Sequence, residues 1–107
     1  MDYERARVNL DAAGLIGAGE DPLTVAEEMA GVIGEVTAAD AIRAGQALRA
    51  TFLGEGQVPL PELMEILQEQ GFHGPMVVDV RDLPDAAAGA RHAAEVLRRL
   101  WRAEGWR

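Results

Sequence analysis

Three aspartates lie at positions where an α/β protein holds its catalytic groups. Asp11, Asp40 and Asp79 each follow a short apolar or β-branched segment with the composition of a β-strand. Parallel α/β folds hold their catalytic groups at the carboxyl ends of strands. Carboxylates at such positions act either as ligands or as helix caps and turn formers. The spacing therefore predicts one polar edge of a sheet, with both roles open for each aspartate.

Few other side chains offer chemistry. The chain has no cysteine, which excludes a disulfide, a thiolate nucleophile and a thiolate metal site. His73 lies in a predicted turn and His92 on a predicted helix among arginines, neither in an HxxxH pair, and we expect both to face solvent. The stretch Gly54-Glu55-Gly56 indicates a turn rather than a phosphate cradle, because no helix start follows it immediately.

Three strands are predicted to carry the aspartates. Val8 to Asp11 alternates, Val32 to Ala38 is β-branched, and Met76 to Val80 is apolar enough for a strand buried on both faces. Residues 14–19 are glycine-rich and indicate a loop. Residues 41–57 are less regular, and they predict either a long loop or a loop with a helical turn around residues 44–50.

Three helices are predicted to alternate with these strands. Their ranges are about 21–31, opened by an Asp-Pro pair, 61–71, opened by proline and closed by glycine, and 85–103. The second helix has an apolar stripe made of Leu60, Leu63, Met64 and Leu67. Gly71 would let Phe72 pack back on Leu67 as a Schellman contact. The pattern predicts one α/β domain over residues 1–107.

Composition narrows the classes of function. The 107 residues carry 18 acidic and ten basic side chains, for a net charge of -8, and every basic residue is arginine. This charge argues against nucleic acid or an anionic membrane as a partner, because binding to either depends on a basic surface. No segment has the length of an apolar membrane span, and the first residues lack an apolar signal core. We therefore expect a cytoplasmic protein.

One continuous stretch resembles the carboxyl-terminal end of the xylose-isomerase-like sugar isomerases and epimerases. It runs from Leu53-Gly54-Glu55-Gly56 through the proline-started helix to Gly71 and then to Met76-Val77-Val78-Asp79. The resemblance implies an α/β fold that is a partial (β/α) TIM-barrel-like unit, with about three parallel strands and three covering helices. A complete barrel needs roughly 250 residues. We therefore expect part of a barrel.

The resemblance also implies roles for individual residues. Asp11 and Asp79 match two positions at which the family binds a divalent metal, which would be Mn²⁺, Mg²⁺ or Co²⁺ if the site is functional. Arg43 matches a substrate-contacting arginine that follows an acidic residue, here Asp40. Thr37 stands where the family has a metal-binding histidine. Gly14 likewise replaces a substrate-contacting histidine, and no catalytic residue is assigned.

The expected function is that of a sugar or sugar-phosphate isomerase or epimerase, in which a proton moves between adjacent carbons through an enediolate. With an incomplete ligand set, the partial barrel should be inactive alone and completed by self-association or by a complementary barrel chain. A homo-oligomer is the first expectation, because three strands leave two open edges. The alternative is a non-catalytic interaction or scaffold protein derived from the same family. The related DNA-repair endonucleases fit less well, because their metal site is rich in histidine.

Overall fold

A computed structural model describes residues 6–105 of the chain. Strands and helices alternate through most of its length. In chain order they are β1 (Val8–Asp11), α1 (Ala12–Gly17), α2 (Pro22–Glu28), β2 (Ile33–Ala38), β3 (Asp40–Ala44), β4 (Ala47–Thr51), α3 (Leu60–Glu69), β5 (Met76–Val78) and α4 (Ala86–Glu104). No helix within residues 6–105 has the length and apolar character needed to cross a bilayer.

The main sheet is parallel and has the strand order β1-β2-β5. Asp11 pairs with Thr37 on the neighbouring strand, and Thr37 pairs with Val77 on the third. Strands β3 and β4 form a separate antiparallel pair. The expected partial barrel unit is confirmed, because the parallel strands are connected through helices and the sheet does not close.

The hydrophobic core lies between this sheet and its helices. Leu10 and Val36 are buried neighbours on adjacent strands, and they point to the same side of the sheet. The predicted stripe of the α3 helix is fully buried against them, and the α4 helix contributes Ala93 and Leu97. A buried leucine or valine stabilises the fold by roughly 1.5 to 3 kcal/mol. Burial of this one face therefore fixes which side chains point the other way.

The opposite face of the sheet is open. Asn9 and Asp11 are exposed there, Thr37 is partly exposed, and Val77 is 46% exposed. Burial of the last strand on both faces was therefore a wrong prediction, and β5 ends at Val78. The reason is that all the helices packed on the core lie on the side of Leu10 and Val36. In a closed barrel the open face is the interior.

Helix ends follow the predicted signals. Asp21 caps the α2 helix through Leu23 N–H, 3.0 Å away. Gly71 has φ +74°, and Phe72 N–H donates to the Leu67 carbonyl at 2.9 Å, which is the Schellman arrangement. The α4 helix begins after its cap Asp85 and spans 19 residues, close to its predicted range. These local signals therefore place the helices that cover the sheet.

Two segments differ from prediction. Residues 14–19 were expected to be a loop, but most of them belong to the α1 helix, because Asp11 caps its first turn and Leu15 and Ile16 pack on the core. Residues 41–57 were expected to be a loop or helical turn, but β3 and β4 form a hairpin there. Its two-residue turn has glycine first, with φ +62° at Gly45, as in a type II′ turn.

Candidate functional site

A groove of about 480 Å³ lies at the carboxyl ends of the parallel strands. Asp11 lines it from the end of β1, and Asp79 lines it from the position after β5. The β4 strand of the hairpin borders the same groove through Leu48 and Arg49. The sequence prediction that Asp11 and Asp79 share one edge of the sheet is thereby confirmed.

Asp11 has a structural contact of its own. Its Oδ1 accepts a hydrogen bond from Gly14 N–H at 3.1 Å, and so it caps the α1 helix. A Cβ atom added at Gly14 would lie 2.7 Å from Asp11 Oδ2. A histidine in place of this glycine would therefore force the Asp11 carboxylate to move. The Asp11 cap in this conformation therefore depends on the absence of a side chain at position 14.

Asp79 is held by a residue that sequence analysis did not single out. The Arg81 Nη2 group donates to Asp79 Oδ2 at 2.7 Å, and the Nε group lies 3.0 Å from Oδ1. Arg81 N–H also donates to Oδ1, at 3.1 Å. The side-chain hydrogen bond from Arg81, followed by the backbone one, lowers the pKa of Asp79 below its usual range. An arginine two positions after a strand-end aspartate was the available signal.

Thr37 is paired across the sheet. Its hydroxyl donates to Asn9 Oδ1 at 3.1 Å, and Asn9 Nδ2 lies 3.0 Å from Thr37 Oγ1. Both residues lie on the open face of the sheet, one row apart. Asn9 was not singled out from sequence, although the alternation of β1 places it on the same face as Asp11. The position that matches a family histidine thus carries a neutral, hydrogen-bonded pair.

Asp40 is buried, with 3% of its surface exposed, and it belongs to the scaffold. Its carboxylate accepts four backbone N–H groups, from Ala41 at 2.9 Å, Gly54 at 2.9 Å, Gly56 at 3.0 Å and Val58 at 3.0 Å. The glycine-rich turn is thus an anion cradle whose occupant is a side chain of the same chain. Four charge-assisted bonds leave Asp40 little capacity to bind anything else.

Arg43 lies on the hairpin. Its guanidinium Nε donates to the Gly45 carbonyl at 3.2 Å, and its backbone N–H donates to Gln57 Oε1 at 2.7 Å. The arginine of the hairpin that borders the groove is Arg49. Substrate contact by Arg43 stays a prediction.

Comparison with known proteins identifies the family of this chain. The profile of the family described as xylose isomerase-like TIM barrel matches residues 1–100. The chain belongs to the xylose isomerase-like TIM barrel family. A search of curated proteins found no match.

Solved structures of the xylose isomerase-like type share the fold. A xylose isomerase domain protein from Planctomyces limnophilus superposes with a TM-score of 0.79 at 24% identity, over 92% of this chain and 39% of that one. A D-tagatose 3-epimerase-like protein gives 0.75 at 19% identity, over 98% and 38%. Mannonate dehydratase from Streptococcus suis serotype 2 gives 0.70 at 14%, over 99% and 36%. This chain therefore spans about two fifths of the length of its structural relatives.

The donors present decide whether the divalent metal implied by the family resemblance fits this site. Among residues 6–105, no group of three or more histidine, cysteine, aspartate or glutamate side chains could hold a metal ion. Asp11 serves as a cap, and Asp79 is occupied by Arg81. The described residues by themselves therefore do not fit a divalent cation. The ligand roles of Asp11 and Asp79 stay predictions.

The two histidines lie away from the groove. His73 is exposed, as expected. His92 is only partly exposed, contrary to expectation, because its ring stacks on Phe52 with centroids 5.1 Å apart and its Nε2 lies 3.0 Å from the Leu53 carbonyl oxygen. This contact ties the α4 helix to the start of the glycine-rich turn.

Proposed function

We propose that this chain is a sugar isomerase- or epimerase-like protein that forms part of a catalytic barrel. On this proposal it is inactive alone, and self-association or a complementary chain supplies the rest of the site. The observation that carries the proposal is the joint placement of Asp11 and Asp79 in one groove at the carboxyl ends of parallel strands. Barrel enzymes assemble their sites at that end from several strands.

The open face of the sheet supports the same reading. Asn9, Asp11 and Thr37 lie on the side away from the helices, which is the interior of a closed barrel. Polar side chains on an interior face suit a ligand rich in hydroxyl groups, because each hydroxyl both donates and accepts hydrogen bonds. A carboxylate among them can take a proton from a carbon beside a carbonyl. Sugars meet both requirements.

Completion of the site needs further strands. The sheet formed by the described residues has β1 and β5 as its edges, and Val8 and Val77 are 38% and 46% exposed on them. Open strand edges and apolar side chains facing water favour association. A two-fold homo-oligomer is the first form we propose, since it is the commonest way to bury such a face. A different chain with complementary strands is the second.

Two measurements test this proposal. Size exclusion with light scattering should give a multiple of the 11.5 kDa chain mass at micromolar concentration. A clean monomer would reject self-association and leave the complementary chain. In the second measurement, ketoses are incubated with the chain in D₂O, and proton NMR follows exchange at the carbon beside the carbonyl. We expect no exchange above buffer for the chain alone. Rapid exchange by a monomer would reject the incomplete site.

A second candidate function is a non-catalytic interaction or scaffold role. The observation that favours it is that the polar groups at the strand ends already have partners within the chain: Asp11 with Gly14, Asp79 with Arg81 and Thr37 with Asn9. Thr37→His separates the two functions, because it restores an imidazole in the row of Asp11. Tighter Mn²⁺ binding by this variant than by the unmodified chain favours a degenerate catalytic site. No gain favours the scaffold role.

A further inference from the structure

Asp79 and Arg81 form a compact fork at the end of the β5 strand. The Nη2 of Arg81 lies 2.7 Å from Asp79 Oδ2, while its Nε lies 3.0 Å from Oδ1 and 3.2 Å from Oδ2. The Arg81 backbone N–H adds a contact to Oδ1 at 3.1 Å. Arg81 alone thus donates hydrogen bonds to both oxygens of the Asp79 carboxylate. The two residues are separated by a single position, so the local backbone fixes the pairing.

Arg81 also lines the groove. Its side chain is 85% exposed, and within the part of the chain that the structure describes its Nη1 group makes no hydrogen bond. A guanidinium is charged at every pH at which proteins fold, and its donors are arranged for two-pronged contact with a carboxylate. The groove therefore has a permanent positive charge at the carboxylate that matches a metal-binding position of the family.

We propose that Arg81 is the resident cation of this groove, and that its guanidinium closes Asp79 to divalent metal ions. The proposal rests on the proposed function only in treating the groove as the ligand-facing end of the sheet. A metal ion would need the oxygens that Nε and Nη2 contact, and it would experience repulsion from the guanidinium charge. Both effects weaken the binding of a metal ion to Asp79.

The size of the effect follows from charge and distance. A monovalent cation within about 4 Å of a divalent one lowers the affinity for the metal by roughly tenfold or more, even in water. Loss of the carboxylate contacts adds to this repulsion. Because the Arg81 side chain is largely exposed, its replacement should leave the fold intact. The metal can therefore serve as a direct probe of Arg81.

The experiment is a Mn²⁺ titration of the full chain, followed by calorimetry and by the electron paramagnetic resonance signal of free Mn²⁺. Arg81→Ala should tighten binding by about tenfold, and Arg81→Lys should tighten it less, because the charge is kept while the fork is lost. Arg49→Ala is the matched control. Arg49 lines the same groove without bonding Asp79, and its removal should change affinity by less than about twofold. Circular dichroism confirms that each variant is folded.

A second substitution assigns the gain to Asp79. In the Arg81→Ala background, Asp79→Asn should remove the added affinity. The proposal is overturned if Arg81→Ala leaves Mn²⁺ affinity unchanged, if Arg49→Ala produces an equal gain, or if the unmodified chain binds Mn²⁺ with micromolar affinity through Asp79. None of these readouts uses a sugar or the oligomeric state. A failure here is therefore distinct from a failure of the proposed function.

Discussion

Two aspartates that follow neighbouring parallel strands line the same groove but differ in burial and in their hydrogen-bond donors. Asp40, after β2, is buried and is held by four backbone N–H groups. Asp79, after β5, borders an open groove and is held by the exposed side chain of Arg81. The same residue type just beyond neighbouring strands thus serves as scaffold in one case and borders the candidate site in the other. The difference lies in what donates to the carboxylate.

Backbone donors and side-chain donors have different consequences. Three of the four N–H groups bound to Asp40 come from the segment at residues 54–58, so this carboxylate fixes the path of a loop. The contacts of Asp79 come from one residue two positions away, so they fix no distant segment. Removal of the first carboxylate should therefore destabilise the fold, whereas removal of the second should alter mainly the charge of the groove.

Asp40→Ala should have the largest effect. It leaves several N–H groups without an acceptor in a buried place, and we expect a loss of about 3 kcal/mol in the free energy of unfolding. Urea denaturation at fixed protein concentration measures it. Asp82→Ala, at an exposed position bordering the groove, is the control and should change stability by less than about 0.5 kcal/mol. Equal losses would show that burial and backbone donors do not set Asp40 apart.

Gly56→Ala should have the next largest effect. A Cβ atom at Gly56 would collide with Asp40 Oδ1 and lie 2.7 Å from Ala41 N, so the cradle must open. Such overpacking costs about 2 kcal/mol. Gly31→Ala is the contrast, because Gly31 has φ +87° and nothing within 4 Å of its added Cβ. It should cost about 1 kcal/mol from backbone strain alone. Thermal unfolding compares the two variants. A larger loss of stability in Gly31→Ala than in Gly56→Ala would contradict the role given to the cradle.

The pH dependence of the Asp79 pair should be the smallest effect. The folded-state pKa of Asp79 is lowered, so the pair stabilises the protein above the unfolded pKa of about 3.9 and loses this contribution as pH falls through the folded value. The stability difference between the unmodified chain and Asp79→Asn should therefore shrink as the pH falls from about 6 to about 3. The midpoints of urea denaturation of the two chains at each pH measure this difference. In an Arg81→Ala background the difference should depend less on pH, because only the backbone N–H of residue 81 still donates to Asp79. An undiminished dependence there would assign it to another group.

Much of the fold could be predicted because its signals are local. Proline and glycine mark the ends of the α3 helix, and alternation marks β1. The hairpin was missed because residues 41–50 are rich in alanine and lack a clear period, so only the type II′ turn at Gly45 indicated it. The α1 helix was missed because its glycines resemble those of a loop, although Asp11 is a good cap.

The site was predictable only in part. Asp11 and Asp79 were placed correctly at one edge because βα alternation makes the strands parallel, so that their carboxyl ends lie on the same side. Three of the four partners of Asp40 lie 14 to 18 residues away in sequence, a separation at which no spacing rule applies. Arg81 was within reach of sequence reasoning, since an arginine beside a strand-end aspartate is a local pair. Its geometry became clear only with the backbone that follows β5.

The shared acceptor of residues 54–58 also has a kinetic consequence. The amide protons of Gly54, Gly56 and Val58 all end on one carboxylate, so displacement of Asp40 would release all three at once. In native-state hydrogen exchange these amides should therefore exchange together, with a common opening free energy, as a single cooperative unit. The amide of Arg43, which donates to the side chain of Gln57 in the same loop, should join them. The glycine-rich loop and the start of the hairpin would then open as one body, ahead of the parallel sheet.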